Sequence, residues 1–184
     1  MSLLDHLKSR GIDPEKTRVI VDEESGMATF LLFNLSGQLV GHQRYNPNGS
    51  KSVRGNFDWA RYYTHVAAEG DRKKIAVWGL ESLSVDDPFV FVTEGIFDAN
   101  KVQNAGYPAI AVLTNHPVAL RSWFRALGKR IIAITDADEA GRKLAALADE
   151  SHVVPPPHKD LGEMPQPDVD AFIDSIVNGA SSSR

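Results

Sequence analysis

The stretch Phe89-Val90-Phe91-Val92-Thr93-Glu94-Gly95 joins a short apolar run to an acid and a glycine. A second run of the same kind, Arg130-Ile131-Ile132-Ala133-Ile134, leads into Thr135-Asp136-Ala137-Asp138-Glu139-Ala140-Gly141. Short β-branched runs bounded by glycine or acids are typical of fully buried parallel strands. The pattern therefore predicts an α/β fold in which both runs are strands of one parallel sheet.

Three carboxylates, Glu94, Asp136 and Asp138, directly follow these predicted strands. Open α/β sheets bind ligands at the carboxyl ends of their strands, so we expect the three side chains to converge there. Unpaired, they would repel one another and raise each other's pKa, which makes a divalent cation the natural neutralising group. Carboxylate oxygens without a soft ligand favour Mg²⁺ or Mn²⁺ over zinc. Each acid also has a structural interpretation, since acids are favoured at helix amino termini.

Together the two motifs resemble the Toprim domain of primases, topoisomerases and related nucleases. They are Glu94-Gly95-Ile96-Phe97-Asp98 and Asp136-Ala137-Asp138-Glu139-Ala140-Gly141, each at the end of a predicted strand. The resemblance implies a Rossmann-like domain of about four parallel strands with flanking helices. It implies a metal-linked or general acid–base role for Glu94, metal binding by Asp136 and Asp138, and an active-site role for Asp98. A cap or salt bridge is the alternative role of Asp98.

The rest of residues 86–165 alternates strands and helices as this domain requires. Strands are predicted at 89–93, 109–112, 130–135 and 152–154, with helices at about 95–105, 117–127 and 138–149. Such alternation predicts a parallel sheet with right-handed crossovers. After three prolines, Lys159-Asp160-Leu161-Gly162-Glu163 resembles the last acidic segment of phage and helicase-linked members, which implies a metal-facing Asp160 and candidate roles for Lys159 and Glu163.

Residues 1–80 are expected to form a small mixed α+β lobe. It has a helix near Leu3–Arg10, a possible strand at Arg18–Asp22, a hairpin of residues 27–34 and 38–45, and a further strand at Ile75–Val77. At the other end of the chain, residues 166–184 predict a helix over Val169–Val177. We expect Asn178-Gly179 to stop that helix and a disordered tail to follow from Ala180.

Basic and aromatic residues are concentrated between Lys51 and Tyr63. They are interpreted either as a solvated loop anchored by its aromatic rings or as a cationic surface with stacking groups for single strands or nucleotide phosphates. Bacterial and phage primases place a hairpin with Gly-x-x-Arg ahead of Toprim, and Gly41-His42-Gln43-Arg44 is similar. The candidates for contact with template or nucleotide are Arg44, Lys51, Arg54, Arg61 and Lys159.

Composition narrows the class of protein. The chain has 184 residues, a formal net charge of -4 and no cysteine, so a disulfide framework and a Cys-rich zinc ribbon are excluded. Any nucleic-acid surface must be a local basic patch. No apolar run approaches the ~20 residues that span a bilayer, and no signal peptide is visible at Met1–Asp5. We expect a soluble cytoplasmic protein without a membrane partner, in a bacterial host if the chain is phage-encoded.

The resemblance thus implies a primase catalytic core that uses Mg²⁺ or Mn²⁺ to make short RNA primers from nucleoside triphosphates on single-stranded DNA. Two alternatives stay open, a Toprim nuclease and a non-catalytic module that binds nucleic acid or a replication protein. The family's zinc module and helicase region have no counterpart in this sequence. That departure has three interpretations: the chain is a minimal phage-like primase, it needs a separate helicase or zinc-module partner, or it has lost priming.

Overall fold

The computed structural model describes residues 1–51, 59–69, 72–73, 75–114 and 117–181. It divides into two compact units, Met1–Trp78 and Gly79–Arg184. None of the helices in the described ranges is both long and apolar enough to cross a membrane.

The first unit is an antiparallel sheet with one short helix. The sheet has the order β1-β2-β3-β4, and a separate two-stranded hairpin follows it. Its elements are α1 (Leu3–Ser9), β1 (Val19–Asp22), β2 (Met27–Phe33), β3 (Leu39–Tyr45), β4 (Tyr62–Val66), β5 (Ala68–Glu69) and β6 (Arg72–Lys73).

The predicted hairpin is present as β2 and β3, while the expected strand at Ile75–Val77 is wrong. Val77 forms only an isolated bridge with Phe33. The strand β4 was not predicted, because its tyrosines lie in the stretch that we interpreted as a loop or a cationic surface. It pairs with β3 in antiparallel register.

Alternation along β2 places one face of this sheet in a core. Ala28, Phe30 and Leu32 are fully buried, and the ring of Trp78 meets that of Phe30 edge to face with 6.4 Å between centroids. Edge-to-face contact is a favoured geometry for aromatic pairs. This sheet therefore has one packed face and one partly exposed face along β2, as antiparallel sheets commonly do.

The second unit has the predicted parallel sheet. Its four strands lie in the order β10-β9-β7-β8, all parallel. Its elements are β7 (Phe89–Thr93), α2 (Ile96–Asn104), β8 (Ala109–Ala111), α3 (Arg121–Leu127), β9 (Arg130–Thr135), α4 (Glu139–Ala145), β10 (Glu150–Val153) and α5 (Gln166–Ser181). The expected α/β fold of about four parallel strands with flanking helices, preceded by a small mixed unit, is confirmed.

Helices α5 and α4 end at residues other than those expected. Helix α5 continues to Ser181, so Gly179 does not stop it and Ala180 does not begin a tail. Burial of Val169, Ile173 and Ile176 at helical spacing stabilises this helix, and an interior glycine costs only about 1 kcal/mol relative to alanine. Helix α4 ends at Ala145, earlier than the predicted residue 149.

Candidate functional site

The sheet order places the two acid motifs next to each other. Strands β7 and β9 are parallel neighbours, with Val92 opposite Ala133. Because both chains run in the same direction, both strands end at the same edge of the sheet. Glu94 follows the end of β7 and Asp136 follows the end of β9. The carboxyl edge of this sheet is therefore acidic.

Glu94 has a strongly perturbed environment at this edge. Burial, followed by the charges of Asp138 and Asp136, raises its pKa from the usual 4.5 to about 7, although a hydrogen bond with the Asp136 backbone acts in the opposite direction. Its Oε1 atom is buried and has no hydrogen-bond partner among the described residues. A carboxyl group in this state is a good acceptor for a cation or a proton.

Asp138 also has a structural role, as the residue that caps the amino terminus of α4. It is the N-cap of α4, and its Oδ1 accepts a hydrogen bond from the Gly141 N–H at 2.8 Å. Gly141 itself is needed for close packing, since a Cβ at that position would overlap the carbonyl oxygen of Asp136. The second motif therefore combines a helix cap, a close backbone approach and three carboxylates in six residues.

Asp98 holds a distant loop in place. Its Oδ1 accepts a hydrogen bond from the Gly162 N–H at 2.8 Å. Its Oδ2 lies 2.7 Å from the point that a Cβ on Gly95 would occupy, so the glycine leaves room for this carboxylate. The contact ties the first motif to the segment around Gly162, and it was not predicted from the sequence. In the sequence, only the glycines Gly95 and Gly162 could have indicated this close contact.

Asp160 caps the turn in that segment. Its Oδ1 accepts a hydrogen bond from the Glu163 N–H at 2.8 Å, and a short 3-10 turn covers Leu161–Glu163. The charges that raise the pKa of Glu94 are those of Asp138 and Asp136, and Asp160 is not one of them. Lys159 is exposed. The structure thus links this loop to the first motif through Asp98.

The basic candidates of the first unit have varied surroundings. The Arg44 guanidinium lies over the Tyr63 ring, 5.1 Å from its centroid. The Arg61 Nε donates a hydrogen bond to the Gly49 carbonyl at 3.2 Å, and Lys51 is exposed. Arg54 lies outside the described residues. The contact roles of all four stay predictions.

The acidic edge is not a preformed metal cage. Within the described ranges, no three His, Cys, Asp or Glu side chains form a group that could hold a metal ion as they stand. The raised pKa of Glu94 nevertheless shows that Asp136 and Asp138 lie within electrostatic reach of it. Both observations agree if the carboxylates share one edge without pointing at one centre, as mutual repulsion would favour.

No family model matches the chain, and no curated protein does either. Solved structures do match. The primase fragment of the bacteriophage T7 primase-helicase is 20% identical, with a TM-score of 0.55 over 82% of this chain and 62% of that one. The Aquifex aeolicus primase, with its zinc-binding and RNA polymerase domains, is 18% identical, with a TM-score of 0.62 over 95% of this chain and 55% of that one.

A DnaG primase catalytic domain bound to single-stranded DNA is 18% identical, with a TM-score of 0.60 over 95% of this chain and 62% of that one. The chain spans between 55% and 62% of the length of these three structures. At such low identity the likeness concerns the fold. The expected resemblance is confirmed at that level: this chain has the fold of the catalytic core of DnaG-type primases.

Proposed function

We propose that the chain catalyses metal-dependent nucleotidyl transfer and makes short RNA primers on single-stranded DNA. The observation on which this depends is the meeting of Glu94, Asp136 and Asp138 at one sheet edge, with a buried Glu94 oxygen that lacks a partner among the described residues. An acidic cluster is destabilising in itself, so its presence in a primase-like fold favours a catalytic role.

The residues at this edge fit Mg²⁺ or Mn²⁺ in their chemistry. Carboxylate oxygens are the preferred ligands of both ions, and Glu94, Asp136 and Asp138 would supply them. When bound, divalent ions in such sites neutralise nucleotide phosphates and activate the attacking hydroxyl. Asp160 is a further candidate ligand from the loop that Asp98 positions.

The residues of the chain itself would hold and orient the reactants. Glu94, with a pKa of about 7, can accept or release a proton near neutral pH. Asp98 keeps the loop at Gly162 attached to α2. Arg44, Lys51, Arg54, Arg61 and Lys159 are candidates for contact with template or nucleotide phosphates through charge. The Arg44–Tyr63 pair would add a stacking surface for a base.

The proposed partners are single-stranded DNA and nucleoside triphosphates. One solved neighbour is a DnaG catalytic domain bound to single-stranded DNA, and another is part of a primase-helicase protein. By analogy, a separate helicase or a zinc-module protein could deliver the template to this chain.

The test is incubation with single-stranded DNA, labelled ribonucleoside triphosphates and Mg²⁺ or Mn²⁺. We expect short labelled oligonucleotides from the wild type and a loss of at least about 100-fold in the variant D136N/D138N. The matched control is D86N/D168N, which removes two exposed carboxylates from the same unit and should retain synthesis. Metal-dependent shortening of the DNA without synthesis would establish the nuclease alternative. Metal-independent binding that survives Asp136→Asn, with no product, would establish the binding module.

A further inference from the structure

A second charged feature lies at the opposite end of the parallel sheet. A pocket of about 360 Å³ opens beside the first residues of β9, and its lining includes Arg121, Phe124, Arg125, Lys129, Ala146 and Asp149. Five residue steps along β9, at about 3.3 Å each, separate Ile131 at this end from Asp136 at the acidic edge, or about 16 Å. The pocket is therefore distinct from the acidic site.

The sequence around the pocket is unusually basic for this chain. Residues 99–135 contain no Asp or Glu, although the whole chain has a net charge of -4. Three of the basic residues in that range line the pocket: Arg121, Arg125 and Lys129. Arg121 and Arg125 are four positions apart on α3 and hence lie on the same face of the helix. The pocket thus concentrates positive charge within an acidic protein.

The two arginines have their donors available. The side chains of Arg121 and Arg125 make no hydrogen bond or ion pair within the part of the chain that the structure describes. Asp149, the one acid in the pocket lining, uses its Oδ2 to accept from the Ile131 N–H at 2.8 Å. Its carboxylate therefore serves the backbone of β9.

Lys129 supplies a fixed charge in the same pocket. Its ammonium group donates to the carbonyl oxygens of Ser84, Val85 and Asp87 at 2.6, 3.2 and 2.6 Å. Three bonds use all three of its hydrogens, so this side chain is held in position and acts on a ligand through its electric field.

We propose that this pocket binds the phosphate group of a nucleotide. Planar guanidinium groups bind phosphate oxygens in a bidentate geometry. Two guanidinium groups one helical turn apart can bind one phosphate group or two adjacent ones. The volume lies within the range of pockets for small ligands. The apolar side chains of Ala146 and Leu147 offer a surface for the sugar or base. The ligand is either a free nucleotide or the phosphorylated end of a strand.

Calorimetric titration in EDTA, which suppresses metal-dependent binding at the acidic edge, tests this site. The probes are ATP, adenosine, a 5′-phosphorylated ten-nucleotide DNA, the same DNA without that phosphate, and tetraglutamate. We expect ATP or the phosphorylated strand to bind, and R121Q/R125Q to weaken that binding about tenfold or more. Binding of ATP identifies a free nucleotide as the ligand; binding of the phosphorylated strand alone identifies a strand end.

Three comparisons keep the result specific. K8Q/K16Q, which removes two exposed charges from the first unit, should not weaken binding, and neither should D136N/D138N. Ala146→Glu places a carboxylate in the pocket and should weaken binding even if the double arginine variant does not fold. Binding that R121Q/R125Q and Ala146→Glu leave unchanged, an equal loss in K8Q/K16Q, or equal affinity for adenosine or tetraglutamate would overturn the proposal.

Discussion

The two ends of strand β9 differ in how their polar groups are satisfied. At the amino end, Lys129 donates to three carbonyl oxygens and the Asp149 carboxylate accepts from a backbone N–H. At the carboxyl end, Glu94 keeps a buried oxygen without a partner among the described residues, and its pKa is raised to about 7. One end stabilises the fold, and the other stores unfavourable electrostatic energy, as functional sites often do.

Gly141→Ala should have the largest effect on stability, because it disrupts the tight packing at the carboxyl end of β9. A Cβ there would overlap the Asp136 carbonyl oxygen, so we expect a loss of roughly 2–3 kcal/mol in the free energy of unfolding. Urea denaturation measures it. Gly179→Ala is the matched control, because no atom lies within 4 Å of the point that its Cβ would occupy. Since Gly179 lies within α5, that change should stabilise by up to about 1 kcal/mol.

Lys129→Met should destabilise the protein by roughly 1–2 kcal/mol, because it removes charge-assisted hydrogen bonds to the carbonyls of Ser84 and Asp87 at the amino end. Thermal unfolding with Lys16→Met, a change at a side chain that is 84% exposed, provides the comparison. Equal stability of the two variants would show that the carbonyl contacts of Lys129 contribute nothing, and the proposed contrast between the two ends would fail.

Asp98→Ala should cost about 1 kcal/mol, because the Gly162 N–H loses its acceptor. If Asp98 positions the loop for catalysis, primer synthesis should fall in kcat more than the stability loss explains, with KM little changed. Asp98→Asn keeps an acceptor oxygen and should recover both kcat and stability. A variant Asp98→Asn as impaired as Asp98→Ala would instead indicate that the charge itself is required.

Glu94→Gln should change the free energy of unfolding less than Lys129→Met does, and in the opposite direction. The folded-state pKa of about 7 exceeds the usual 4.5, so the folded protein binds more protons between those pH values. The free energy of unfolding therefore falls as pH rises through that window. Without the carboxylate, the variant should be more stable than wild type at pH 8 by roughly 1 kcal/mol, after allowance for partial exposure, and about equal at pH 4.5.

The measurement is denaturation in EDTA across this pH range. Glu81→Gln is the control, because it removes an exposed carboxylate. A loss of stability at pH 8 in Glu94→Gln would contradict the electrostatic account of the carboxyl end. In the primer assay the same variant should lose activity, so that stability and function change in opposite directions.

Much of the parallel unit follows from local pattern. The runs at Phe89–Thr93 and Arg130–Thr135 are buried strands as expected, because β-branched and aromatic residues suit a covered sheet and the only charge, on Arg130, lies at the first position of its strand. The strand Tyr62–Val66 was missed because its polar and aromatic residues pair with β3, which lies far away in sequence. The continuation of α5 through Gly179 was missed because burial of its apolar face overrides a local stop signal.

By itself the sequence determined the fold class, the two acid motifs and their common edge, because strand periodicity and motif position are local properties. Tertiary structure decided which polar and charged side chains find a hydrogen-bond or charge partner. It joined Asp98 to Gly162 across 64 residues, left Glu94 buried beside two other acids, and gathered Arg121, Arg125 and Lys129 around one pocket. Burial and through-space charge depend on contacts between distant segments, and no local pattern records them.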